Sequence, residues 1–475
     1  MSRIRRSALA AAGGIALALL VVLPSVWAPA RPPAPAATSP APNWPYLNAT
    51  ASVGPVVAHH LASPFYAVVL TIVNRSTPVL AALGAYLNST PITWFRVGGG
   101  GEAYDPTTDT DFVPPPGAGS YQPFPVQLWN LSWFRSFCDA RAPHCQWLAN
   151  LPAEENDSAL ALSWAEWYHA TLGAPPTLWQ FGNEPEGWTH YGRPLATWTT
   201  SDSSTVSPAA YATMVRSYIA AISAVYPADR YVGIEASCAC DTGLIQATAA
   251  VDGSRLAAMA YHTYPAPTAN AAAVGPFLGA LAGSSNLPGT SQHFDALLSD
   301  ACSGCAGLPV EVGEYQAGPF GDRSPLAAAY PGAVFLAASV AQALATNVSM
   351  LTVYDSGALY NMSTGTISPE GILYQRILAN LTMGADASVS VAPTGMSGVY
   401  GIFVTNGTRE ALLVVNANTT TGDRLTVPAG LYSASAGGDV WSWDPSTTVP
   451  VRTAAATLAA TYSIPPEGIL LVANY

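Results

Sequence analysis

The stretch TLWQFGNEPEGW, residues 177–188, decides how the rest of the chain is interpreted. Its first half is an apolar run too short for a helix, with two prolines before it and Gly182 after it, which predicts a buried strand. Asn183 and Glu184 follow this strand at once. A carboxylate at the end of a buried strand is partly removed from water, which raises its pKa and suits it to donate a proton. A solvated glutamate at an ordinary strand end is the alternative.

The residues around Glu184 suit a carbohydrate ligand. The side chain of Asn183 can fix a substrate hydroxyl. Flat apolar faces on which sugar rings stack are offered by Trp179, Phe181, Trp188 and Tyr191.

The composition excludes several classes of partner. The chain has 475 residues, enough for one large barrel and a smaller domain, and half of them are hydrophobic. Only 10% are charged, against about 25% in typical globular chains. There is no lysine, and the formal net charge is −12. Such a balance leaves no basic patch, so we expect no nucleic acid and no anionic membrane surface as partner.

The first thirty residues predict export. Arg3, Arg5 and Arg6 precede an uncharged apolar run at 7–26, and small residues for cleavage follow at 28–30. The run is long for a signal peptide, so an uncleaved anchor is the alternative, and only in that case is the protein attached to a membrane. Both readings place the protein outside the cytoplasm, secreted or at the cell surface. Weak support comes from glycosylation sequons, among them those at Asn48, Asn88, Asn347 and Asn418.

Six cysteines in an exported chain favour disulfides. Cys138 and Cys145 close a short loop and are the bridge we expect first. The pairs at 238/240 and 302/305 have the spacing of a four-sulfur zinc site. The predicted strands place these two pairs at opposite ends of a barrel, which argues against zinc.

Strands and helices alternate from residue 61 to residue 385. The predicted strands are 65–72, 92–97, 146–151, 177–183, 230–235, 257–264, 309–314 and 349–354. Helical patterns lie between them, for example at 78–87, 159–172, 207–226 and 332–345. Eight strands with helices between them predict a (β/α)8 TIM barrel. A doubly wound sheet would also alternate, but the glycines at 98–101 lack the pattern of a nucleotide-binding loop.

The pattern changes at residue 386. The predicted strands of the second part are short and separated by Gly, Asn, Pro and Thr: 388–391, 399–404, 411–416, 424–427, 440–443 and 468–472. They predict an all-β sandwich at 386–475. The remaining divisions are a signal or anchor at 1–30, a Pro- and Ala-rich linker at 31–45 and a strand segment at 46–60.

Three further predicted strands end in an acidic residue or in side chains that can support one. The seventh strand holds Glu311 and ends at Glu314. Strand alternation places these two on opposite faces, so we expect Glu314 to be the reactive one and Glu311 to be paired or to face a helix. The sixth strand ends in His262 and Tyr264, and a tyrosine hydroxyl beside a carboxylate can hold it ionised. Arg96 ends the second strand and suits either a catalytic carboxylate or a structural ion pair.

Carboxylates at the ends of two strands indicate glycoside hydrolysis. One protonates the leaving oxygen, and the other attacks the anomeric carbon or activates water, depending on their separation. A glycan-binding module and an adhesive surface protein are the alternatives. A pure binder has no need of both Glu184 and Glu314, which favours the enzyme.

Several segments resemble glycoside hydrolase family 79, the clan A family of heparanase and microbial β-glucuronidases. The similar segments are FRVGG at 95–99, LANL at 148–151, GNEP at 182–185, HTY at 262–264 and GEY at 313–315. The resemblance covers nearly everything after the linker. It implies a TIM barrel, a C-terminal β-sandwich and an N-terminal strand, at 46–57, that joins the sandwich.

The resemblance also implies residue roles. Glu184 is the expected acid/base, Glu314 the expected nucleophile, and the configuration is retained. Residues expected to bind substrate or support these two are Asn183, His262, Tyr264, Arg96, Asn150, Trp188, Glu102 and Tyr315. No cofactor and no metal is expected, and the partner is a carbohydrate. The segment after Glu314 departs from the family's uronate-binding pattern, so a neutral β-glycoside stands beside a β-glucuronide as substrate.

The scarcity of charge predicts a protein that works in acid. Acid unfolds proteins by protonating paired carboxylates and leaving repelling cations. A chain with 17 basic side chains and 7 histidines has few ion pairs to lose. GC-rich codon usage would remove lysine without selection for acid, and it is the alternative explanation.

Overall fold

The computed structural model covers most of the chain after residue 44. The residues it describes are 45–50, 56–57, 65–70, 74–97, 104–105, 110–111, 130–141, 145–172, 176–188, 206–251, 255–266, 273–283, 285–317, 326–354, 358–361, 363–381, 383, 387–392, 395–427, 437–447, 449–455, 458–459 and 461–474. The expected export signal lies outside them. Within these ranges, no helix has the length and apolarity that a bilayer span requires.

Strands and helices follow one another in the predicted alternation. The strands of the first part are β1 (Tyr46–Thr50), β2 (Val56–Val57), β3 (Tyr66–Leu70), β4 (Trp94–Val97), β5 (Tyr104–Asp105), β6 (Thr110–Asp111), β7 (Gln146–Asn150), β8 (Leu178–Gln180), β9 (Tyr231–Ala236), β10 (Leu256–Thr263), β11 (Val310–Tyr315) and β12 (Val348–Tyr354). The helices are α1 (Thr77–Asn88), α2 (Leu131–Arg141), α3 (Ser158–Thr171), α4 (Pro208–Val225), α5 (Thr242–Ala249), α6 (Val274–Gly279), α7 (Leu287–Ala301), α8 (Tyr330–Leu344) and α9 (Pro369–Arg376).

Eight parallel strands close into a barrel, which confirms the predicted TIM barrel. They follow the order β3, β4, β7, β8, β9, β10, β11, β12, and β12 pairs with β3 to close the ring. Helices cover the outside, so the strands are buried on both faces. This is why they read as nearly continuous apolar runs rather than as alternating ones.

Polar caps start several of the barrel helices where a strand-to-helix turn ends. The Asp157 carboxylate accepts hydrogen bonds from the first backbone N–H groups of α3. Asn286 accepts one from Gly289 at 2.8 Å at the start of α7. Caps of this kind satisfy the unpaired N–H groups of the first turn and contribute about 1 kcal/mol each.

The C-terminal part forms two antiparallel-rich sheets, as predicted. Its strands are β13 (Ser388–Val391), β14 (Val399–Thr405), β15 (Glu410–Asn416), β16 (Gly422–Thr426), β17 (Gly438–Trp443), β18 (Val451–Ala455), β19 (Thr461–Ile464) and β20 (Gly468–Asn474). The segment before the barrel contributes a strand to each sheet. Strand β1 pairs with β16, and β2 pairs with β13.

Helix α8 joins the barrel to the sandwich. Residues 331–344 of this helix are all buried, and it packs against β14, β15 and β20. The Tyr330 hydroxyl donates to the backbone oxygens of Trp443 at 2.8 Å and Glu467 at 2.6 Å. The two parts therefore share one apolar interior.

The cysteines form three local disulfides. Cys138 is bonded to Cys145, as predicted, Cys238 to Cys240 and Cys302 to Cys305. The second pair follows β9 and the third precedes β11. These are opposite ends of the barrel, so the four sulfurs do not come together as a zinc site would require.

Candidate active site

Polar side chains from several barrel strands form one cluster at the carboxyl ends of the strands, where active sites of this fold lie. Its members are Arg96 on β4, Asn183 and Glu184 after β8, Glu235 on β9, His262 on β10, Tyr264 after β10, and Glu314 on β11. The cluster brings together most of the residues predicted from the sequence.

A strained turn presents Glu184. Gly182 and Glu184 both have left-handed backbone conformations, with φ of 76° and 48°, and for a non-glycine residue this costs roughly 1–2 kcal/mol. The Glu184 N–H donates to the backbone oxygen of Glu235 at 2.8 Å, and the Trp188 indole donates to that of Asn183 at 2.8 Å. These bonds hold the turn, and strain of this kind is concentrated at functional sites.

Arg96 organises the floor of the cluster. Its guanidinium donates to Gln180 at 2.8 Å, to Asn183 at 2.6 Å and to Glu314. Burial alone would lower the pKa of Arg96, but the charges of Glu235 and Glu314 raise it above its usual value. Arg96 therefore stays charged and contacts both glutamate-bearing segments, with Glu314 as its carboxylate partner.

Two donors hold the Glu314 carboxylate. Arg96 donates to one oxygen, and the Tyr264 hydroxyl donates to the other at 2.5 Å. Burial and the charge of Glu314 raise the pKa of Tyr264 well above its usual value, so this hydroxyl keeps its proton. Both carboxylate oxygens are therefore occupied by donors, which fix the orientation of the group.

His262 lies between the carboxylates. Its Nδ1 is 2.7 Å from Glu184 and 3.5 Å from Glu314, and its Nε2 is 3.1 Å from Glu235. Burial lowers the pKa of His262, but the charge of Glu314 and the hydrogen bonds to Glu184 and Glu235 outweigh it and raise the pKa to about 10. The ring is therefore an imidazolium at neutral pH.

The two expected catalytic carboxylates are close together. One oxygen of Glu184, one of Glu314 and a ring nitrogen of His262 all lie within 4.8 Å of one another. The same three groups have a spacing that metal ligands also adopt. Glu184 is the more accessible of the pair, with 14% of its side chain exposed against 5% for Glu314.

A bulge in β11 corrects one prediction. Tyr261 pairs with Val312 and His262 with Glu314, so Gly313 is the extra residue. The extra residue shifts the alternation. Glu311 therefore lines the barrel interior with Arg96, like Glu314, and does not face a helix.

The predicted sugar-stacking faces are wrong where they can be checked. Trp179, Phe181 and Trp188 are each 0% exposed. The Trp179 indole donates to Asp229 at 2.7 Å, outside the cluster. The Trp188 ring packs on Gly182, where a Cβ would lie 2.7 Å away. Trp188 therefore packs against the turn instead of facing solvent. Tyr191 lies outside the described residues.

Tyr315, Asn150 and Glu102 are the other residues that the sequence predicts for the site. Tyr315 does not belong to the cluster, because it faces outward and its hydroxyl bonds Ser339 on α8. Asn150 is buried at the end of β7, beside Gln180 in the barrel register. Glu102 lies outside the described residues.

Glu235 and Gln180 were not predicted to belong to the site. Glu235 is 1% exposed in the middle of the apolar run YVGIEA of β9. A carboxylate in a strand buried on both faces is rarely tolerated without a partner. That placement is the sequence signal that would have identified it.

The comparisons agree on fold. No protein-family model matches the chain, and no curated protein matches it in sequence. Solved structures that share its architecture include clan A glycoside hydrolases.

One of them is a family 51 α-L-arabinofuranosidase from Bifidobacterium longum, with a TM-score of 0.64, 13% identity, and coverage of 91% of this chain and 100% of that one. Another is a family 30 subfamily 8 xylanase from Clostridium acetobutylicum, with a TM-score of 0.55, 13% identity and coverage of 90% and 98%. A family 44 xyloglucanase from Paenibacillus polymyxa has a TM-score of 0.56, 12% identity and coverage of 90% and 99%.

Proposed function

We propose that this protein is an exported glycoside hydrolase that retains the anomeric configuration. The observation that carries the proposal is the pair Glu184 and Glu314, at the carboxyl ends of two barrel strands with oxygens within 4.8 Å. Retaining enzymes hold their carboxyl groups about 5–5.5 Å apart, whereas inverting enzymes need about 6.5–9.5 Å to admit a water molecule. The spacing therefore supports double displacement.

The first step follows from the contacts of each residue. Glu314, held by Arg96 and Tyr264, attacks the anomeric carbon as the glycosidic C–O bond breaks. Glu184, which is more exposed, passes its proton to the leaving oxygen. The product is a glycosyl ester on Glu314 and a free alcohol.

The second step reverses these roles. Glu184, now a carboxylate, takes a proton from a water molecule, and the oxygen of that water attacks the anomeric carbon. The ester bond to Glu314 breaks, and both residues return to their starting forms. Arg96 and His262 stay charged throughout and need no reorganisation, which is how preorganised sites stabilise transition states.

A β-glucuronide is the first substrate class to test, because of the resemblance to family 79. Neutral β-glycosides are the second, and the family 30 and family 44 relatives in fold are named as a xylanase and a xyloglucanase. A non-catalytic glycan-binding surface protein is the remaining alternative.

A panel of nitrophenyl β-glycosides separates these possibilities. The panel contains the glucuronide, glucoside, xyloside and galactoside, and release of nitrophenol is measured. Proton NMR of the first-formed sugar then shows whether the anomer is retained. Turnover with inversion would contradict the mechanism, and binding of glycans without any turnover would support the binding protein.

A further inference from the structure

Glu235 contacts both cations of the cluster although it is neither of the two proposed catalytic residues. Its Oε2 is 3.1 Å from Nε2 of His262, and its Oε1 is 3.7 Å from Nε of Arg96. The side chain is almost completely buried. An ionised carboxylate in such a place is costly unless charged partners compensate it, so its position calls for a reason.

The barrel makes room for Glu235 at a specific residue. A Cβ on Gly313 would lie 1.9 Å from Oε2 of Glu235 and 2.9 Å from its carboxyl carbon. Any side chain at 313 would therefore collide with the carboxylate. The bulge that turns Glu314 into the site thus also leaves the space in which Glu235 reaches His262.

The charges of the cluster balance only if Glu235 is counted. Arg96 and protonated His262 supply two positive charges. Glu235 and Glu314, each counted as a carboxylate, supply two negative charges in the proposed first step, in which Glu184 carries the proton. When Glu314 becomes an ester, Glu184 has just given up its proton, so the site remains neutral. Without Glu235 it would carry an excess positive charge in both halves of the reaction.

We propose that Glu235 is a positioning residue, the buried counter-ion that keeps His262 an imidazolium with its Nδ1–H directed at Glu184. A carboxylate can only accept at Nε2, so Glu235 fixes a proton on that nitrogen. The second proton, on Nδ1, then donates to Glu184. This inference rests on the proposed function for its catalytic consequence, though not for its structural one.

The other groups around His262 do not replace Glu235. Glu184 and Glu314 face Nδ1, and Tyr264 and Arg96 donate elsewhere, to Glu314 and to the β8 segment. Two further acids lie nearby. Glu186 accepts a hydrogen bond from the backbone N–H of Ser237, and Glu311 lines a cavity that Glu235 also lines. Only Glu235 approaches Nε2 among the described contacts.

The first test measures the protonation of His262 by nitrogen NMR on the full-length protein labelled at histidine. A His262→Asn variant assigns the signal. We expect both ring nitrogens to stay protonated up to pH 8 in the wild type. In Glu235→Gln the ring should lose a proton within the range pH 5–8. Glu311→Gln, the same change in a buried neighbour that does not contact His262, should match the wild type.

The second test measures kcat/KM against pH on the best aryl glycoside of the panel. Loss of one charge-assisted hydrogen bond predicts a fall of roughly 10- to 100-fold in Glu235→Gln, carried by kcat rather than KM. The remaining activity should decline at the pH where NMR shows His262 losing its proton. Glu235→Asp, which restores the charge, should recover part of the loss.

The outcomes separate this inference from the proposed function. If no glycoside is cleaved but His262 responds to Glu235→Gln, the counter-ion role holds and the enzyme does not. If glycosides are cleaved while His262 titrates identically in wild type and Glu235→Gln, the counter-ion role is wrong. Should Glu235→Gln fail to fold, the wild-type spectrum decides alone, because a neutral His262 at pH 6 overturns the proposal.

Discussion

Strand β11 carries two buried glutamates that lie at different levels of the barrel interior. At the upper level, Glu314 is held by Arg96 and Tyr264. At the lower level, Glu311 lines a cavity with Trp94, Met350 and Thr352. Within the described part of the chain, the Oε2 of Glu311, the hydroxyl of Thr352 and the indole nitrogen of Trp94 have no hydrogen-bond partner.

The difference lies in the partners of the two groups and not in the depth of burial. Glu314 is slightly more buried than Glu311, at 4% against 8% exposed, yet donors hold both of its oxygens. Burial, followed by the charge of Glu235, raises the pKa of Glu311 to about 8. One strand therefore presents a carboxyl group held by two donors at the upper level and one with a raised pKa at the lower level.

The largest effect on activity is predicted for Glu314, the glutamate at the upper level. Glu314→Gln keeps the shape of the side chain but removes the nucleophile, so kcat should fall on the order of 10⁴-fold or more for every substrate. Steady-state kinetics on the aryl glycosides measures this. Glu311→Gln is the matched control and should stay active. An inactive Glu311→Gln beside an active Glu314→Gln would exchange the two assignments.

The next prediction concerns the proton donor. Glu184→Gln should slow poor leaving groups by roughly 10²- to 10⁴-fold but spare the first step for leaving groups that need no proton. Azide added to Glu184→Ala should restore turnover and yield a glycosyl azide, because the anion attacks the anomeric carbon of the glycosyl ester directly and needs no general base. Equal losses for good and poor leaving groups would show that Glu184 is not the acid.

The sequence predicted the barrel well, because each strand is a short apolar run bounded by turn residues, and the structure has all eight in the predicted order. Strands β18 and β19 were missed. The pattern of β18, VRTAA, is largely exposed, and β19, TYSI, is half exposed. Such strands carry too little apolar periodicity to stand out from a loop.

The site was predicted only in part. Motifs that end strands identified Glu184, His262, Tyr264 and Glu314, since the barrel brings strand ends together whatever the loops do. The bulge at Gly313 was not visible, because a one-residue register shift leaves no mark on hydrophobicity. The burial of Trp188 depends on how the turn folds back on Gly182, which propensity and spacing do not fix.

A smaller loss of activity is predicted for Gly313, the residue of β11 that leaves space for Glu235. Gly313→Ala places a methyl group where the Glu235 carboxylate lies, so the carboxylate must withdraw from His262. We expect about a tenfold fall in kcat/KM, the weakening of one charge-assisted hydrogen bond. Gly307→Ala is the control, because a Cβ there meets nothing within 4 Å. Equal activity of the two variants would show that this contact has no function.

The smallest effect on activity is predicted for Glu311, at the lower level. Its replacement should nevertheless change the stability of the protein measurably. Glu311→Gln should leave kcat/KM within about twofold near pH 5, because an amide resembles the neutral acid that burial favours there. In the wild type, the raised pKa of Glu311 contributes stability that is complete below about pH 4, the usual range of a free glutamate. That contribution is lost as pH rises through about 8.

Thermal unfolding from pH 2 to pH 9 therefore distinguishes the two proteins. Between pH 6 and pH 9 the wild type should lose more stability than Glu311→Gln, which has no proton to release there. As pH falls towards about 4, Glu311 and Glu370, whose pKa burial also raises, favour the folded state because they gain protons there first. Below about pH 4 the low charge density predicts that the wild type stays folded, because few ion pairs are left to lose. A wild-type unfolding midpoint that collapses below about pH 4 would contradict the acid tolerance. Parallel unfolding curves for wild type and Glu311→Gln above pH 6 would contradict the contribution of Glu311.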